Sequence, residues 1–144
     1  MEKQKETVHV VSAIVKDGDK YFCTQRKRSR KRYNSERWEF PGGKVREGEC
    51  DHEALLREIR EEMSWDIFVG KPVGHVVHEY PDFIIDMTAY LCLAENADFK
   101  LLEHLDARWL TLEELDTLNW TDADRTIVGQ LKNSYTLRST LTRA

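Results

Sequence analysis

The 144-residue chain has only three cysteines, Cys23, Cys50 and Cys92, far apart and with no CxxC pair. That spacing offers neither a disulfide framework nor a zinc site, and it suits a reducing cytoplasm. An apolar run of membrane-spanning length is also missing, and the first residues, MEKQKE, are charged where a signal peptide would be apolar. Positive charge is not in excess: the net charge of −4 argues against a stable nucleic-acid partner or a membrane surface. No repeat, linker or low-complexity segment divides the sequence, so it reads as one domain, residues 1–144. The remaining composition is ordinary for a globular protein, 40% hydrophobic and 33% charged, and the length suffices to bury a core.

Thr7 to Val15 is rich in β-branched residues, and the turn Asp17-Gly18-Asp19 leads into Tyr21 to Thr24, which together predict a β-hairpin. Arg26 to Arg32 then holds six basic residues in seven, most of which read as a solvated loop. Trp38 to Phe40 predicts a short strand stopped by Pro41. Gly42 and Gly43 then let the backbone turn tightly and approach a ligand. Phe68 to His78 and Phe83 to Ala94 read as two further strands, and Leu101 to Leu110 as a loop and strand. Thr111 to Leu115 predicts a short helix capped by Thr111, and Thr121 to Leu131 the last helix. Thr121 and Asp124 have the spacing of a capping box. The histidines at 75, 78 and 104 lack the spacing of a helical metal pair and read as structural.

Gly43 to Trp65 is the stretch around which the rest is organised. At about 100° per residue, Glu58, Glu61 and Glu62 share one side of a helix, while Leu55, Leu56, Ile59 and Met63 occupy a different arc. Like charges at these spacings repel, and a divalent cation would reverse that penalty. Hard cations such as Mg²⁺ choose oxygen ligands and keep substrate phosphates in the remaining positions. Glu49, near the helix start, gains from the helix dipole, and Arg57 can pair with Glu53 or Glu61 on the helix surface.

The order Gly43, five residues, Glu49, seven residues, then Arg57 to Trp65 resembles the Nudix box, G-x5-E-x7-R-E-U-x-E-E-x-G-U with U apolar. Ser64 departs from it, standing where the family has a glycine that ends the helix in a left-handed conformation. Trp38 to Lys44, WEFPGGK, is similar to the lead-in of the MutT-like branch. The resemblance implies an α/β fold, a mixed β-sheet in an α/β/α sandwich, with the acidic helix on one face and the terminal helix on the other. It implies metal-dependent hydrolysis of a nucleoside triphosphate to the monophosphate and pyrophosphate; monomer and homodimer are both open on the sequence. Glu58, Glu61 and Glu62, with Gly43 and Glu103, form the implied set for Mg²⁺ or Mn²⁺, and Glu103, with Asp106 as its rival, or a box glutamate takes the proton. Glu49 supports the metal-binding glutamates and Arg57 holds loop and helix together. Arg26, Gly42, Gly43 and Lys44 are candidates to meet phosphates, and Phe40, Tyr80 and Trp120 to stack on a base. Asp124 stands where relatives meet the base edge. A carboxylate accepts hydrogen bonds, so it suits the cytosine amino group, though guanine N1 and N2 offer donors as well. A dinucleotide or ADP-ribose pyrophosphatase, an RNA-directed protein using the basic loop, and a non-catalytic nucleotide sensor are the other readings.

Overall fold

The computed structural model describes residues 4–142, with side-chain surroundings as far as residue 134; Met1 to Lys3, the start of the charged N-terminal stretch, lie outside it. The strands are β1 (Thr7–Asp17), β2 (Lys20–Arg26), β3 (Trp38–Glu39), β4 (Gly42–Lys44), β5 (Ile67–Glu79), β6 (Ile84–Ala94) and β7 (His104–Thr111). The helices are α1 (Asp51–Met63) and α2 (Asp122–Thr142), with a 3-10 turn at Glu114–Thr117.

The hairpin expected at Asp17 to Asp19 forms, but β1 and β2 pair only at Lys16 with Tyr21 and Asp17 with Lys20. Beyond that the strands part. β1 runs parallel to β6 from Thr7 to Val15 and antiparallel to β4 at Val10 to Ser12, while β2 joins β7 and β3. The result is one mixed sheet in the order β3-β2-β1-β6-β5, with β4 and β7 as branches. Side chains of a strand alternate between faces, and β1 uses this to serve two cores. Ile14 packs with Ala123, Ile127 and Val128 of α2, whereas Val11, Ala13 and Val15 pack with Leu55, Ile59 and Met63 of α1. The two helices therefore cover opposite faces of the sheet, the expected sandwich.

Two local expectations are corrected and a third is narrowed. Gly42 and Gly43 do not form a turn: they are strand residues on β1, with Gly43 opposite Val11 and Gly42 opposite Ser12. A Cβ on Gly42 would lie 2.0 Å from the Val11 carbonyl oxygen, so glycine is required there by the close passage of β1. The helix expected at Thr111 to Leu115 starts three residues later, because Thr111 still belongs to β7. Thr111 still meets it from the strand end, exchanging hydrogen bonds with Glu114, but the residue at the cap position is Glu113. Of the two partners expected for Arg57, Glu61 is bound and Glu53 is not; the others are described below.

Candidate active site

α1 opens with Asp51 and Glu53 in its first turn, where carboxylates face the positive end of the helix dipole. It closes at Ser64, with φ 49° and ψ 42°, whose N–H donates to the Arg60 carbonyl at 2.9 Å. The serine takes the left-handed conformation of the family's glycine, at a cost of about 1 kcal/mol. Between these ends Arg57 organises the acidic face. Its guanidinium donates to both oxygens of Glu49 (2.7 and 2.9 Å), to Glu58 (2.9 Å), to Glu61 (3.3 Å) and to the Lys44 carbonyl (3.0 Å). One residue thus ties the helix to the loop after β4. The Arg57 hydrogen bonds, with the Arg46 N–H, hold the Glu49 carboxyl down at about 2. Glu58 lies against Gly43, where a Cβ would stand 2.3 Å from the carboxyl carbon. Gly43 thus lets β4 reach the helix carboxylates, while Lys44 is exposed beside them.

Glu62, on the inner side of α1, has no arginine. Its side chain is 18% exposed, and one oxygen is buried without a hydrogen-bond partner. Burial first, then the charges of Glu39, Glu58 and Glu103, push its carboxyl up to about 9. Glu39 is the inner residue that sequence reasoning missed. It accepts from Arg26 at 2.9 Å and lies 3.1 Å from His104 Nε2, which is itself 3.9 Å from Glu62. Burial alone would raise the Glu39 carboxyl, but the His104 hydrogen bond and the Arg26 charge outweigh it and hold the group below its ordinary range. Alternation was the available signal: Trp38 and Phe40 face the core, so Glu39 between them faces the other way, beside α1. Arg26 is thus at the site, spent on Glu39, and His104 is a buried link between two carboxylates.

The loop before β7 docks on the end of α1, with the Lys100 N–H donating to the Met63 carbonyl (2.8 Å) and the Leu102 N–H to that of Glu62 (3.1 Å). This leaves Glu103 exposed and close enough to Glu62 for its charge to be felt. Its rival Asp106 is engaged with the Ala107 N–H and Arg108. Among the described residues no three acidic, histidine or cysteine groups converge on one point, because Glu58 and Glu61 turn to Arg57. The donor set nevertheless fits a hard dication: all its ligands are oxygens, and the partnerless oxygen of Glu62 is a buried acceptor in need of positive charge.

Next to these carboxylates a cleft of about 200 Å³ is lined by Arg26, Phe40, Gly42, Gly43, Lys44, Tyr80 and Asp124 from the expected set, joined by Glu39, Asn34 and Phe83. The segment before α2 is laid against β3: the Trp38 N–H donates to the Asn119 carbonyl and the Thr121 N–H to that of Trp38, both at 2.9 Å. This brings Asp124 to Phe40, whose N–H donates to it at 3.0 Å, while the Thr121 hydroxyl donates to the other oxygen at 2.5 Å and accepts from the Asp124 N–H. Asp124 is therefore both the capping residue and a cleft residue, and burial, with the Glu39 charge, pushes it up to about 7. Phe40 and Trp120 pack on each other at 4.7 Å; Trp120 is core, its indole N–H spent on the Leu115 carbonyl. A larger hollow of about 550 Å³ beside the β1–β2 turn, lined by Lys16, Tyr21 and Lys132 among others, contains none of the candidate residues.

The model of the NUDIX domain matches residues 6–131. The 8-oxo-dGTP diphosphatase of Proteus vulgaris is 34% identical over 88 residues, 60% of this chain and 77% of that protein. The CTP pyrophosphohydrolase of Escherichia coli K12 is 32% identical over 107 residues, 74% and 78% of the two chains. Among solved structures, the protein MutT of methicillin-resistant Staphylococcus aureus 252, a Nudix hydrolase, superposes with a TM-score of 0.70 at 40% identity, covering 91% of this chain and 99% of that one. With the box on α1, the glycine strand beside it and the sandwich around both, the chain belongs to the Nudix hydrolase family.

Proposed function

We propose that the chain is a metal-dependent nucleoside triphosphate pyrophosphohydrolase, giving a nucleoside monophosphate and pyrophosphate, with CTP, dCTP or a modified cytidine triphosphate as substrate. The observation that carries this reading is the adjacency of the α1 carboxylates to a base-sized cleft bearing the acceptors Asp124 and Glu39. Glu58, Glu61, Glu62, Glu103 and the Gly43 carbonyl are the groups that would hold Mg²⁺ or Mn²⁺. A divalent cation supplies charge neutralisation to a pyrophosphate and acidifies water. Arg57 positions Glu58 and Glu61, Lys44 meets a phosphate oxygen, and Glu103, exposed beside Glu62, accepts the proton of the attacking water as the P–O bond to the leaving pyrophosphate breaks. Phe40 and Tyr80 wall the base, and carboxylate acceptors suit the donating amino group of cytosine.

The 34% identity to a protein named 8-oxo-dGTP diphosphatase favours a second reading, in which Asp124 accepts from guanine N1 and N2. Pyrophosphate release from CTP, dCTP, 5-substituted cytidine triphosphates, dGTP and 8-oxo-dGTP with Mg²⁺ separates the two, with Glu61→Gln as the control. Turnover of a cytidine triphosphate that collapses in the variant is expected. Preference for 8-oxo-dGTP selects the second reading, and silence on every triphosphate ends both.

A further inference from the structure

We infer that the loop between β2 and β3 is a built wall of the base cleft, that Asn34 on it is a specificity-determining residue, and that Asp82 is the positioning residue that holds it there. The inference rests on the proposed nucleotide-hydrolysing function and adds two residues to it.

A loop with the charge of Arg26 to Arg32 would be expected to stand out in solvent, and Arg28, Arg30 and Arg32 are indeed exposed. Its centre is tied down. The Arg26 N–H donates to the Arg37 carbonyl at 2.8 Å and closes the loop at its base, while the N–H groups of Asn34 and Ser35 both donate to the Lys31 carbonyl at 3.0 Å. At the tip, Lys31 reaches Asp82 in the turn between β5 and β6 at 2.5 Å, and the Tyr33 hydroxyl donates to the other oxygen of the same carboxylate. One aspartate on a separate turn therefore receives two residues of the loop.

Aromatic rings continue the anchor into the cleft. Tyr33 stacks on Tyr80, with centroids 4.7 Å apart and planes at 18°, and Tyr80 stacks on Phe83 at 5.3 Å and 25°. Tyr80 is fixed from the other side, where its hydroxyl accepts from the Ala123 N–H at 3.1 Å. Tyr80 and Phe83 both line the cleft, and so does Asn34, the residue after Tyr33. The Asn34 backbone is spent inside the loop, on the Lys31 carbonyl and the Arg37 N–H. Asn34 is half-buried and carries a side-chain amide, which both donates and accepts. An ionised carboxylate such as Glu39 can only accept, so the Asn34 amide adds a side-chain donor to the cleft. A base is distinguished by its pattern of donors and acceptors, and the amide widens the pattern the cleft can read. The Asp82 anchor is an exposed charge pair, so its loss should alter the wall more than the global stability.

The test compares wild type, Asn34→Ala, Asp82→Ala and Asp82→Asn in steady-state hydrolysis across the base panel, with calorimetric titration of nucleoside monophosphates and of inorganic pyrophosphate in EDTA, and thermal melts as a check on folding. Asn34→Ala is expected to change the ratio of kcat/KM between the preferred base and the next by about tenfold. It should shift monophosphate affinity in the same order across bases and leave pyrophosphate affinity as it was. Asp82→Ala should raise KM about three- to fivefold with kcat within about twofold, and Asp82→Asn, which still accepts from Tyr33, should recover part of that loss. Base ratios unchanged in Asn34→Ala, or a KM unchanged in Asp82→Ala, overturn the inference. If wild type cleaves no triphosphate, the proposed function fails. The wall is then decided by the monophosphate titrations, where base-dependent losses in Asn34→Ala sustain it and uniform affinities refute it.

Discussion

The acidic cluster has two halves that meet at α1 and are built in opposite ways. At the rim, Glu49, Glu58 and Glu61 surround Arg57, and the hydrogen bonds of that one guanidinium keep Glu49 ionised far below its ordinary range. Inside, Glu62 and Asp124 have no arginine of their own, and burial raises both carboxyls, to about 9 and about 7. Glu61 and Glu62 are neighbours in sequence but about 100° apart around the helix, so one is half exposed and the other turns to Glu39 and His104. The contrast teaches that the residue type alone says little about charge. A carboxylate at the rim is ready-made and positioned, whereas the inner one needs positive charge brought to it.

The sharpest way to break the comparison is to neutralise one member of each half. Glu58→Gln and Glu62→Gln are each expected to lower kcat for pyrophosphate release by about two to four orders of magnitude. Mg²⁺ should raise the melting temperature of wild type and not that of the variants. A Glu62→Gln enzyme that keeps most of its activity and its Mg²⁺ response would remove the inner half from metal binding.

Arg57→Lys tests whether charge or fork geometry organises the rim. Lysine keeps the charge but cannot reach both oxygens of Glu49, Glu58 and the Lys44 carbonyl at once. About a tenfold loss in kcat/KM with a lowered melting temperature is expected, and wild-type values in both would show that charge suffices.

The inner half should have its own pH signature. Folded Asp124 keeps its proton to about pH 7, while an unfolded aspartate loses it near pH 4. Between these values the folded state binds more protons, so this group's contribution makes stability fall as pH rises through that window and level off above it. Urea midpoints measured from pH 4 to 8 should therefore slope less steeply downward in Asp124→Asn than in wild type. Parallel slopes would show that Asp124 is ionised throughout.

The smallest effect is expected at Ser64, which belongs to neither half. Ser64→Gly relieves a left-handed serine with φ 49° and should stabilise the protein by about 1 kcal/mol in denaturant melts, with kcat within about twofold. A larger change in kcat would connect the helix end to the carboxylates through the loop that docks on Met63 and Glu62.

The spacing of glycine, glutamates and arginine from Gly43 to Trp65 made the helix, its acidic face and the family legible before any coordinates, because a helix converts sequence offsets directly into angles. Strand alternation and turn residues likewise marked most strands, and Thr121 with Asp124 marked the start of α2. Long-range placement was illegible: that Gly42 and Gly43 lie on β1, that the hairpin opens into two sheet branches, and that Arg57 chooses Glu49 over Glu53 are outcomes of packing. The same holds for His104, Asp82 and Asn34, each unremarkable in its local context, and although alternation could turn Glu39 away from the core, its partners Arg26 and His104 were not legible. Local offsets along one helix determined which residues could act. Only the tertiary structure decided which carboxylate meets an arginine, which is buried beside a histidine and which residues wall the cleft, because those contacts join segments tens of residues apart whose meeting no local periodicity encodes.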